Sequence, residues 1–129
     1  MKSGIEQSKK SVYTEKAEAW MKPYMPGIVD HPVYSTWAMI RGMENTARLL
    51  LQPYLEEGED GVGCEVSVKH LAPAALGETI RIEATLKEFK HPIVVCHLEA
   101  FCENTKIGEG IHKQFVLSKQ RYQKFLGKS

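Results

Sequence analysis

Hydrophobic spacing divides this chain into one helical stretch and a set of strands. Over His31–Leu55, HPVYSTWAMIRGMENTARLLLQPYL, apolar residues recur at the 3.6-residue helical period. Trp37, Met39, Ile40, Met43, Ala47, Leu50 and Leu51 share one arc, and Arg41, Asn45, Arg48 and Gln52 hold the other side. Pro32 precedes this helix, Ser35 or Thr36 supplies its N-cap, and Pro53 ends the pattern. After Gly58 the period changes to two. In Gly61–His70 the residues Val62, Cys64, Val66, Val68 and His70 face one way, and Gly63, Glu65, Ser67 and Lys69 the other. Ile80, Ile82, Ala84 and Leu86 alternate in the next strand, and Val94, Cys96, Leu98, Ala100 and Cys102 in the one after. Leu71–Gly77, His91–Pro92 and Asn104–Thr105 are the turns between them. Lys106–Ser118 is the last strand, and its pattern is muddled at Gly108 and Gly110, which predicts a bulge or a close backbone approach.

Before the helix the pattern is weaker. Residues 1–8 are polar and expected to be loose, Lys9–Thr14 is a first strand, and EKAEAWMK has room for a helical turn or two. Pro23, Pro26 and Gly27 stop anything longer. Trp20, Tyr24 and Met25 suit a flap over something apolar, or equally a plain connector packed on the core. The tail RYQKFLGKS is a short helical turn or a frayed end. Strand, helix, then four strands predicts an α+β domain, with one antiparallel sheet wrapped around one long helix.

Composition keeps this to a single domain. The chain has 129 residues, 43% of them hydrophobic and 26% charged, enough for one core. A net charge of +1 argues against a nucleic-acid partner, and no run approaches a membrane span. The N-terminus lacks the apolar region of a signal peptide. Three cysteines (Cys64, Cys96, Cys102) without a CxxC pair fit a reducing, cytoplasmic setting, and each falls in an apolar strand phase, as a small core residue would.

Candidate chemistry centres on Glu44, which sits at the margin of the helix's apolar arc. Arg48 four residues on and Arg41 three back offer it an ordinary surface ion pair. His70 ends the apolar register of its strand and so points toward the helix, where it can meet Glu44 or serve as a core histidine. His31, His91, His97 and His112 are scattered, with no metal-ligand spacing.

The T-x7-E helix, the GVGCEVSVKH strand with its APAALG turn, and the later IGEGIH resemble the fluoroacetyl-CoA thioesterase family of the hot-dog fold, over most of residues 33–118. That resemblance implies a catalytic group of threonine, glutamate and histidine at Thr36, Glu44 and His70, with a backbone amide at Gly63 facing the thioester oxygen. It implies an acyl-CoA substrate with no separate cofactor, and a homodimer or dimer of dimers with the coenzyme A site between subunits. Trp20, Tyr24 and Met25 take the place of the lid. Two departures stand: Gln114 occupies the position of the family's last-strand arginine, and the lid differs in detail. Eight residues of helix span roughly 12 Å, so Thr36 and Glu44 do not touch directly. A non-catalytic hot-dog dimer binding an acyl-thioester or small apolar ligand is the alternative, and a hot-dog hydratase fits less well.

Overall fold

The computed structural model describes residues 1–6 and 9–127. Strand β1 (Lys10–Lys16) leads through a 3-10 turn (Ala19–Met21) and a small hairpin of β2 (Tyr24–Met25) and β3 (Val29–Asp30) to helix α1 (Thr36–Leu51). Strands β4 (Glu59–His70), β5 (Thr79–Lys90), β6 (Ile93–Cys102) and β7 (Thr105–Ser118) follow, and α2 (Lys119–Phe125) closes the described chain. The sheet runs β1-β5-β6-β7-β4 and every pairing is antiparallel. The expected strand–helix–four-strand order is therefore present, and the β2–β3 hairpin is an addition. The stretch read as a helical turn or two keeps only one 3-10 turn. The expected loose N-terminus is tethered at its start: the Met1 ammonium donates to Glu59 at 3.0 Å and the Lys2 N–H to the Tyr54 carbonyl. Residues 7–8 and 128–129, parts of the expected loose ends, lie outside the described residues.

The core lies between α1 and the concave face of the sheet. Ile80, Ile82, Ala84 and Leu86 of β5 and Val94, Cys96, Leu98, Ala100 and Cys102 of β6 are buried, as their alternation predicted. The helix is rotated from the expected arc: Ala38, Gly42 and Thr46 are buried with Met39, Met43, Ala47, Leu50 and Leu51, while Trp37 is 47% exposed. Gly42 explains the rotation. A Cβ there would overlap the Ile82 side chain, so the helix seats its glycine face directly on β5.

The sheet has three register slips, and the two in the pairings of β7 bear on the site. The β4–β7 register slips between Gly63 and Glu65, leaving Cys64 without a partner. Gly61 and Gly63 therefore share the helix side with their β7 partners Val116 and Gln114, while Val66, Val68 and His70 keep the expected phase beyond the bulge. Val62 and Cys64 turn to the outer face, beside Phe115, Leu117, Tyr122 and Phe125. Cys64 is thus exposed rather than a core residue, whereas Cys96 and Cys102 are buried. The second slip, between Ala100 and Phe101, falls opposite Ile107 and Gly108, where the sequence predicted irregularity. A Cβ at Gly108 would run into Met39, and one at Gly110 into the Ser67 carbonyl, so both glycines permit close approach.

Candidate active site

The first site pair joins the start of α1 to the end of β4. Ser35 takes the N-cap, its hydroxyl accepting from the Ala38 N–H at 3.1 Å, which frees the Thr36 side chain. Thr36 Oγ1 then lies 2.8 Å from His70 Nδ1. His70 reaches this position because the β4 bulge restores the helix-facing phase and its register partner is Gly108. Burial pushes the His70 pKa below the ordinary histidine value, outweighing a backbone hydrogen bond at Ala72. At neutral pH the ring is uncharged, free to hold a hydroxyl at one nitrogen and exchange a proton at the other.

The second cluster lies farther along the helix. The Glu44 side chain is 41% exposed, and its Oε1 is 3.8 Å from Nε2 of His112, a β7 residue with only 1% of its side chain exposed. Gly63 borders both: a Cβ built there would sit 3.1 Å from His112 Nε2 and 3.6 Å from Glu44 Oε1. The surface ion pair does not form. Arg41 instead bonds Glu15 at 3.0 Å, and Arg48 acts on this cluster only at longer range. His112 was absent from the sequence-based candidates. Stepping back by twos from Val116 through Gln114 marks it as helix-facing, but the glycine irregularity hid that phase.

Within one chain, then, the four principal candidates fall into two groups. Thr36 meets His70, and Glu44 meets Gly63 and His112. Glu44 and His70 are not brought together, because His70 meets Thr36, and about 12 Å of helix separates Thr36 from Glu44. Both groups face β4, whose outer edge carries no strand among the described residues.

Of the three flap candidates, Trp20 sits beside the first turns of α1. The Trp20 Nε1–H donates to Glu18 at 2.6 Å, its ring lies 6.1 Å from that of Trp37, and the Arg41 guanidinium stacks 4.9 Å above it. Tyr24 and Met25 project from the β2–β3 hairpin and are exposed. Gln114 is fully buried and its amide donates to the Ala47 carbonyl at 3.1 Å, so it ties β7 to α1. Among the described residues no three His, Cys, Asp or Glu side chains are placed to hold a metal ion.

A single long helix laid across a five-stranded antiparallel sheet, with polar groups gathered toward an open edge strand, defines the hot-dog thioesterase class. Residues 16–120 match the family of fluoroacetyl-CoA-specific thioesterases, FlK, and the chain belongs to that family. A fluoroacetyl-CoA thioesterase from Streptantibioticus cattleyicolor is 28% identical over 101 residues, covering 78% of this chain and 73% of that protein. A Thermus thermophilus protein described as a thioesterase superfamily member shares 30% identity and superposes with a TM-score of 0.92, covering 96% of this chain and 92% of that one. The structure of an FlK variant in complex with fluoroacetate and CoA has the same fold at 22% identity, with a TM-score of 0.84 over 92% of this chain and 99% of that one.

Proposed function

We propose that this protein hydrolyses small or short-chain acyl-CoA thioesters to the free acid and CoA, at a site completed by two copies of the chain. The observation that carries the reading is the Thr36–His70 hydrogen bond at the entrance of a helix that presents Glu44 toward the same open edge. Family membership supports the reaction. The edge geometry supports the assembly. β4 ends the sheet with unpaired backbone groups, and its helix-side Val66 is 38% exposed, uncovered by the chain's own helix. Antiparallel pairing of two β4 edges, about a two-fold axis midway between Gly63 and His70, carries the Thr36–His70 pair of one copy toward Gly63 and Glu44 of the other. The pairing joins the two groups that one chain keeps apart.

Each residue then has a task. Thr36 orients the thioester carbonyl, held by His70. Glu44 delivers the oxygen of water to the thioester carbon, as a general base or by its own attack followed by hydrolysis of the anhydride. Amides at Gly63 or at the start of α1 steady the oxyanion. The C–S bond breaks, and the proton that Glu44 has taken from water passes to the departing thiolate, directly or relayed through the neutral His70 ring. Only water is consumed, and coenzyme A enters as part of the substrate. Trp20, Tyr24 and Met25 form the flap over the acyl group, consistent with their exposure at the helix entrance. The three free cysteines suit a reducing cytoplasm, the near-neutral charge gives no field for nucleic acid, and no described helix is long and apolar enough to cross a membrane.

A panel of acyl-CoAs with free-thiol detection tests the reading. Thiol release from the short members, fluoroacetyl-CoA among them, is the expected result. Binding without thiol release would overturn it in favour of a non-catalytic acyl-thioester binder.

A further inference from the structure

We infer that His112 is a positioning residue for Glu44, a buried imidazole set behind the carboxylate that fixes its direction from the core side. The inference rests on the reading of Glu44 as the group that delivers water. Three elements converge to build the arrangement. His112 Nε2 on β7 faces Glu44 Oε1 on α1 across 3.8 Å, and Gly63 on β4 closes the space over both because it has no side chain to intrude. At 3.8 Å the two groups face one another without a formed hydrogen bond, and the broad terminal torsion of Glu44 leaves its carboxylate able to turn toward the ring.

The ring is otherwise difficult to account for. It is fully buried, and neither of its nitrogens has a hydrogen-bond partner among the described residues. Its register neighbours are Val66 on β4 and Cys96 on β6, which offer no charge; burial pushes the Cys96 thiol up to about 12, so it stays protonated. A leucine or methionine would fill such a place without a desolvated polar ring. The groups that act on the imidazole all come from α1: Glu44 favours its protonated form and Arg48 opposes it, while burial is the largest influence and keeps it neutral.

Neutrality suits the task. A neutral imidazole carrying its proton on Nε2 donates to a carboxylate and aims it, with no permanent cation beside it. Lysine or arginine there would bind the carboxylate as an ion pair and hold the lone pair that water needs. The positioning therefore depends on a donor that is buried, uncharged and directional.

Two measurements test this. In the first, acyl-CoA hydrolysis is compared among parent, His112→Leu and His112→Gln. Leucine should lower kcat on the order of 10- to 100-fold with KM little changed and thermal stability equal or higher, and glutamine, which restores a donor, should recover part of the loss. In the second, the His112 ring is titrated by NMR in parent, Glu44→Gln and Arg48→Gln proteins. Its apparent pKa should fall with Glu44→Gln and rise with Arg48→Gln. A parental kcat in His112→Leu, or a titration unmoved by Glu44→Gln, would overturn the inference. The titration needs no turnover, so it decides the His112–Glu44 coupling even if the parent releases no thiol, a result that would count against the thioesterase reading instead.

Discussion

Thr36 Oγ1 and His70 Nδ1 lie 2.8 Å apart and join the first turn of the helix to the last residue of the edge strand. The contact exists because Ser35 has already capped the helix, leaving the neighbouring hydroxyl without a structural duty.

Thr36→Ala should therefore cost little stability, about 0.5–1.5 kcal/mol for the lost hydrogen bond, yet reduce kcat substantially. Thr36→Ser keeps the hydroxyl and should retain most of the rate. Steady-state kinetics beside thermal melts on both variants checks this, and equal losses in the two would argue against a positioned hydroxyl.

Assembly is open to a direct check. In the proposed assembly the outer edge of β4 and exposed Val66 meet a second copy, so light scattering at micromolar concentration should report a dimer or a multiple of it. A proline at an outward-bonding position of the β4 edge should weaken the dimer and lower activity together. A fully active monomer would remove the shared site.

Much of this architecture is written in the chain and some of it is hidden by local irregularities. The alternation of β6, and of β5 as far as Leu86, needs no context, because those residues are buried on one face throughout. The phase of β4 is different. One extra residue at Cys64 flips Val62 and Cys64 outward, and no propensity marks where such a residue will fall. The helix rotation turns on Gly42, whose value as a contact point appears only once β5 lies against it. Thr36, Glu44 and His70 were legible as candidates, but their division into two groups depends on which strand is left at the sheet's edge. His112 was illegible for a related reason: the slip opposite Ile107 breaks the period just before it.

The proposed flap makes a separate prediction. Trp20 stacks with Trp37 and Arg41 at the surface, so Trp20→Ala removes contacts that are largely exposed. Chain-length preference across an acyl-CoA series should change more than the melting temperature does. Uniform loss at every length, with a lowered melting temperature, would fit a plain connector.

Stability should depend on pH through half-buried His70 and fully buried His112. Both have pKa values lowered from 6.5 chiefly by burial, so below pH 6.5 the unfolded chain takes up protons more readily than the folded one. Stability is then complete above about pH 6.5 and declines as pH falls from there toward the depressed folded values. Glu59 and Glu109, whose pKa values are lowered from 4.5, act in a more acidic window. Melting temperature recorded from pH 8 to pH 5 should show the decline, and His112→Leu should flatten it. An unchanged profile in that variant would mean that His112 does not resist protonation.

Glu44→Gln is the most direct test of the catalytic account. The carboxylate makes no close ion pair with Arg48 or Arg41, so the substitution should change stability by no more than about 0.5 kcal/mol. Its effect on chemistry should be far larger: acyl-CoA hydrolysis should fall on the order of 100-fold or more, because the water-delivering group is gone. Arg48→Gln, altered one helical turn away, should retain most of the rate. Hydrolysis of every tested acyl-CoA at the parent rate by the folded Glu44→Gln protein would contradict the account.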